Sequence, residues 1–176
     1  IPSICQDNGM FKPSKAYRSA EKDFVVLEQV VLEIEAQYQR FVELTGRQPC
    51  YFEGHAVASH NFYKGLEIVA KRHGLQLLPM TMDRPVRFRN TTLYVSMDSM
   101  KPDYDPVVSL KAAAEKDYGQ DGCCMFVCHP GYLDDEILRE SSLTIPRVKE
   151  VAMAVDPDVK RWLEMNGITL VTYDDL

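Results

Sequence analysis

The sequence predicts an α/β fold in which parallel strands are covered by helices. Short apolar runs of strand length alternate along the chain with longer helical stretches, and that alternation argues a parallel sheet. The clearest strand candidate, residues 123–128, ends at His129-Pro130-Gly131-Tyr132, where Pro-Gly marks a turn. A long amphipathic stretch over 20–45 suits the outer layer of such a protein.

The elements follow in order. Pro2, Gly9, Pro13, Ser14 and Ser19 mark residues 1–19 as loop or linker. Phe24, Leu27, Val31, Ile34, Tyr38, Phe41 and Val42 recur at steps of three and four, with one shorter step at the end. They predict a helix that Gly46 stops as the left-handed residue past its end. Residues 50–53 read as a short strand, followed by Gly54 and His55. A helix is expected over 61–73, ended by Gly74, and a strand over 75–78, closed by Pro79. Residues 80–105 mix methionines, prolines and Arg84, Arg87 and Arg89, and read as an irregular solvated excursion, with a substrate-facing loop as the alternative. A helix is expected from Pro106 to about Tyr118, with Pro106 in its first turn and Ala112-Ala113-Ala114 favouring it. After the strand at 123–128, Asp134, Asp135 and Glu136 open a short helix, where acidic residues suit the positive end of the dipole. Ser141-Ser142 is a break. A helix over 145–154 follows, then one capped by Asp156-Pro157 that runs to about Met165 and ends at Asn166-Gly167. Residues 168–171 read as a last strand, with Tyr173-Asp174-Asp175 at its end.

The 176 residues have the length of one domain. Lys and Arg number 20 against 26 Asp and Glu, a net charge of -6, which disfavours nucleic acid or an anionic membrane as the main partner. No run reaches the length of a membrane span. Five cysteines, an odd number with Cys123 and Cys124 adjacent, make a poor disulfide framework and point to a reducing, cytoplasmic setting. Cys124 and Cys128 on one strand stand about 13 Å apart, too far to share an ion. Neither a GxGxxG nor a GxxxxGK loop occurs, so a nucleotide cofactor is not expected.

Four histidines are the chemistry-bearing candidates. His73 sits beside Lys71 and Arg72 at a predicted helix end and suits the dipole there. His60 falls at a helix start or loop. His55 and His129 each follow a predicted strand directly. Strand ends of a parallel sheet face one way, so these two are expected to meet in one cleft, where an imidazole can bind a metal or move a proton. Glu53 points the same way as His55 along a strand, either as an added ligand or in a structural hydrogen bond. No serine or cysteine presents itself as a nucleophile, since Cys128 and His129 project to opposite faces.

Several stretches together resemble the YdjC-like carbohydrate (chitooligosaccharide) deacetylase family. They are HPGYLDDEILRESS at 129–142 with Arg147 and Glu150 after it, the ending GITLVTYDDL at 167–176, the GRQP turn at 46–49, the segment 50–60 and the opening IPSICQDNGMF. The resemblance spans nearly the whole chain. It implies that the chain is the C-terminal two thirds of an irregular or incomplete (β/α) barrel with a divalent ion, Mg²⁺ or Zn²⁺, at the strand ends. It also implies removal of acetyl groups from N-acetylated mono- or oligosaccharides. His129 is the implied acid or base, Tyr132 and Arg147 contact substrate, and His55 is a metal ligand. The family's Asp-Ser-His-x-His-x-His segment reads here Glu53-Gly54-His55-Ala56-Val57-Ala58-Ser59. Glu53 replaces the aspartate, and Val57 and Ser59 replace the later histidines. The family's N-terminal Asp-Asp pair and first histidine are expected before Ile1. The strands expected there would leave an open sheet edge, to be closed by a homo-oligomer partner or some other cover. The alternative reading is a catalytically inactive sugar-binding or interaction protein.

Overall fold

Apolar residues recurring every three to four positions wind the chain into its longest helix. In the computed structural model, which describes residues 1–79 and 81–176, that helix is α2 (Leu27–Thr45). It follows a five-residue helix, α1 (Ser14–Arg18), inside the stretch read as loop. The periodic stripe predicts a start at 20, but the helix begins at Leu27 because residues 20–26 have another use. Asp23 accepts hydrogen bonds from the backbone N–H of Val25 and Asn61 and from Ser59 Oγ, Tyr17 and Phe24 stack, and Val25 is buried. Those contacts tie the segment down as extended chain. Gly46 ends α2 with φ +70 and leaves its N–H bonded to the Val42 carbonyl.

The chain then forms β1 (Tyr51–Glu53), α3 (His60–Arg72) and β2 (Gln76–Leu78). The strands pair in parallel, Tyr51 opposite Gln76 and Glu53 opposite Leu78, as a strand-helix-strand crossover requires. Val30 and Ile34 of α2 pack on Leu66 and Val69 of α3 in one apolar cluster. Gly65 permits the approach, since a Cβ there would stand 2.6 Å from Val30 Cγ1.

Residues Ile1–Met80 and Thr81–Leu176 form two compact units, each with its own core. Met80, read as part of the irregular tract, lies outside the described residues. The rest of that tract is irregular at 81–85 and 97–105, but not between them. It contains β3 (Val86–Phe88) and β4 (Thr91–Ser96), which pair antiparallel across a two-residue connection with Arg89 at φ 51. The all-parallel expectation therefore fails at this hairpin. A two-residue turn can join antiparallel strands but not parallel ones. On its other side β4 pairs in parallel with β5 (Gly122–Phe126).

Four helices complete the second unit: α4 (Pro106–Ala114), α5 (Asp135–Glu140), α6 (Ile145–Val155) and α7 (Pro157–Met165). The carboxylates of Asp105, Asp134 and Asp156 accept the first free N–H groups of α4, α5 and α7, with proline in the first turn of α4 and α7. Helix α4 stops at Ala114, four residues short of expectation; the Tyr118 hydroxyl instead donates to the Ala113 carbonyl near its end. Met153, Val159 and Leu163 form a core against Leu110, Phe126 and Trp162. The strand expected at 168–171 is absent. Residues 168–172 run irregularly with Leu170 exposed, into a 3₁₀ turn at Tyr173–Asp175. A strand requires a ladder partner, and this segment pairs with no strand among the described residues.

Candidate active site

The second unit builds its polar centre where β5 runs out. Val127 extends the ladder by donating its N–H to the Ser96 carbonyl, and Cys128 and His129 follow. Helix α6 then takes hold of the turn. The His129 N–H donates to Glu150 Oε2 at 2.6 Å, Arg147 Nη1 donates to the His129 carbonyl at 3.4 Å, and the Gly131 N–H donates to the Arg147 carbonyl at 3.3 Å. Three bonds thus fasten residues 129–131 to one helix face. Arg147 is itself oriented by Nε donating to the Leu143 carbonyl at 2.9 Å.

The imidazole is half-buried, and Ser99 Oγ stands 3.5 Å from its Nδ1. Ser99 is 1% exposed and Glu150 is fully buried. The other Glu150 oxygen, Oε1, accepts from the Tyr104 hydroxyl at 2.9 Å, and Lys149 Nζ holds the Tyr104 carbonyl at 2.9 Å. Burial pushes the Tyr104 phenol up from its ordinary value, and the bond to Glu150 pushes it further, so the hydroxyl stays a donor. Burial, with the Glu150 charge nearby, also pushes the Cys128 thiol up, which keeps it out of thiolate chemistry at neutral pH.

In the first unit the turn after β1 is shaped by sterics. Gly54 lies against Tyr63, where a Cβ would stand 2.8 Å from Cε1, and Ala56 adopts φ 58. These two residues turn His55 outward. His55 and Glu53 are exposed and line a cavity of about 300 Å³ with Lys12, Glu33 and Tyr17. Val57, at a position where the resemblance expects a histidine, packs against the core, and Ser59, at the other, is buried and caps α3 by accepting the Phe62 N–H. His60 is the exposed first residue of α3. His73, at the C-terminal end of α3, stacks on Tyr38 and bonds Glu35 Oε2 at 2.7 Å. Among the described residues no three His, Cys, Asp or Glu side chains converge as a metal set.

His129 thus has a braced environment, and His55 an open one in the other unit. Arg147 spends its guanidinium on the carbonyls of Leu143 and His129, whereas Tyr132 is 80% exposed. The family resemblance includes Glu150 but implies no role for it, and nothing in the local pattern points to Ser99 or Tyr104. A signal for Glu150 existed: it sits three residues before buried Met153 on α6, so a charge falls on the core face of an amphipathic helix.

A family model described as "YdjC-like protein" matches residues 1–165. The chain belongs to the YdjC-like family. The YdjC-like chain is 27% identical over 168 residues to the chitooligosaccharide deacetylase of Escherichia fergusonii, covering 91% of this chain and 66% of that protein. It is 28% identical over 165 residues to carbohydrate deacetylase 2 of Listeria innocua serovar 6a, covering 85% of this chain and 60% of that one. It therefore spans less than two thirds of the length of either relative. Its fold matches a crystal structure from Enterococcus faecalis V583, described as that of a candidate cellobiose-phosphate cleavage protein, with a TM-score of 0.73 at 20% identity. That match covers 99% of this YdjC-like chain and 69% of the other. No helix among the described residues is long and apolar enough to cross a membrane.

Proposed function

We propose that this chain carries the proton-transfer half of a carbohydrate deacetylase that hydrolyses the acetamide of N-acetylated sugars or oligosaccharides. The observation that carries the reading is His129, braced at the end of β5 by α6, in a member of a family whose relatives are named deacetylases. Amide hydrolysis needs water to add to the carbonyl and a proton to reach the departing nitrogen. An imidazole titrates near neutrality and can supply that proton. Water adds to the carbonyl carbon and releases a proton to solvent; when the C–N bond breaks, the nitrogen keeps the bonding pair and takes a proton from the His129 ring, so that acetate and a free amine result. Glu150 is not the base that activates the water, since it is fully buried and held by two hydrogen bonds inside the core.

The family resemblance adds a divalent ion, Mg²⁺ or Zn²⁺, with His55 as a ligand. The described residues do not fit a complete set. His55 and Glu53 offer two donors at one cavity, whereas Mg²⁺ and Zn²⁺ each want several fixed ligands. The substitutions at Val57 and Ser59, both in structural use, favour one second reading, a relative that binds sugar without hydrolysing it. The five free cysteines favour a reducing, cytoplasmic location.

Acetate release from N-acetylated chitooligosaccharides by the full-length protein, with and without added Mg²⁺ or Zn²⁺, tests the reading. Release that His129→Ala lowers by roughly a hundredfold or more is the expected result. Sugar binding without release under any of these conditions would overturn it in favour of the binder.

A further inference from the structure

Glu150 is a fully buried carboxylate with no cation among its partners in the described residues, an arrangement that is costly unless something specific requires it. An apolar side chain of similar volume would serve packing better. What the carboxylate holds is informative. Oε2 takes the backbone N–H of His129 at 2.6 Å, and Oε1 takes the Tyr104 hydroxyl at 2.9 Å. Tyr104 is itself buried, and its carbonyl is held by Lys149 from the turn of α6 that bears Glu150.

We infer that Glu150 is a positioning residue for His129, with Tyr104 as its brace. This rests on the reading of His129 as the proton donor. The carboxylate fixes the backbone of His129 where strand becomes turn, and so sets the direction in which the imidazole leaves the main chain. Tyr104 stops the carboxylate from rotating away. Ser99 Oγ, facing Nδ1, limits the swing of the ring and leaves Nε2 as the nitrogen to face a substrate. Arg147 holds the carbonyl of the same residue, so both peptide groups of His129 are tied to α6.

The test uses the full-length protein and its Glu150→Gln and Tyr104→Phe variants, with N-acetylated chitooligosaccharides as the probe and circular dichroism as the check on folding. Glutamine keeps the size but is neutral and accepts at one atom only, so the charge-assisted bond to the His129 N–H is either lost or reduced to a neutral one. Because small misplacements of a reacting group are costly, kcat in Glu150→Gln should fall about tenfold to a hundredfold with KM nearly unchanged. Tyr104→Phe should lose less, in the same direction. Independently of activity, the His129 amide proton should resonate far downfield in the wild type, as a short charge-assisted bond requires, and move upfield in Glu150→Gln. An unmoved amide, or an unchanged kcat in a folded variant of an active protein, overturns the inference. If Glu150→Gln does not fold, Tyr104→Phe decides by the same two readouts. If the wild type releases no acetate, the functional reading falls, and the amide resonance alone upholds or overturns the role of Glu150.

Discussion

Two turns at two strand ends solve the same problem differently. After β5, hydrogen bonds do the shaping: the carboxylate of Glu150, the guanidinium of Arg147 and the Arg147 carbonyl each hold a backbone group of residues 129–131. After β1, volume does it: Gly54 fits where no Cβ could stand beside Tyr63, and Ala56 takes a left-handed conformation. Hydrogen bonds orient the group they hold, and His129 comes out half-buried and directed. Steric fit only shapes the path of the chain, and His55 comes out exposed with no hydrogen bond to its ring among the described residues. A group that must deliver a proton gains from the first arrangement. A group that would join other ligands around an ion can tolerate the second.

The sharpest way to break this contrast is His129→Ala. It should lower acetate release by roughly a hundredfold to ten-thousandfold, the range typical of losing a general acid, while circular dichroism stays unchanged. Next comes Gly54→Ala, which forces a methyl group against the Tyr63 ring and should cost about 1–3 kcal/mol in denaturant unfolding. If it costs nothing, the turn after β1 is not shaped by volume.

A third test concerns charge in the first unit. The hydrogen bond from His73 holds the Glu35 carboxyl below its ordinary value of 4.5; burial opposes this, and Arg72 assists it. A depressed carboxylate contributes stability that is fully present above its unfolded value and is lost as pH falls through the lower folded one. Glu35→Gln should therefore cost about 1 kcal/mol at neutral pH. The difference from wild type should vanish on acidification below 4.5, read as converging urea midpoints.

Gly131→Ala is the counterpart of Gly54→Ala. The nearest atom to its Cβ would be Arg147 Nη1 at 3.7 Å, an ordinary contact, and Gly131 does not have positive φ. The substitution should be harmless or stabilise by about 0.4–1 kcal/mol through the unfolded chain. His55→Ala should move unfolding least, by less than about 0.5 kcal/mol, because an exposed ring with no hydrogen bond among the described residues contributes little to the fold. A large loss there would mean that the β1 turn is braced through His55 after all.

Much of this was legible in the chain. Glycines at 46, 74 and 167 follow helices as expected, each with positive φ, and Asp-Pro at 156–157 opens α7. Local rules sufficed because a cap or a left-handed glycine is settled by its own few residues. Legibility failed where an element depends on a distant partner. Thr91–Ser96 is the strand that joins β3 to β5, yet its neighbours in sequence are arginines, methionines and prolines, and only pairing on both sides makes it a strand. Residues 168–171 have strand composition and no ladder, so they form none. The stripe that predicts a helix start at 20 gives way to bonds that Asp23 makes to residues 59 and 61.

The candidate site divides in the same way. The sequence alone determined that His129 follows a buried strand at a Pro-Gly turn, and that His55 follows a shorter one. Both facts are local, written in apolar runs and turn residues. Only the tertiary structure decided that His129 is held by Glu150, Tyr104 and Ser99, which lie between 21 and 30 residues away. Such contacts leave little trace in local pattern, because folding, not spacing, brings a carboxylate on α6 to the amide at the end of β5.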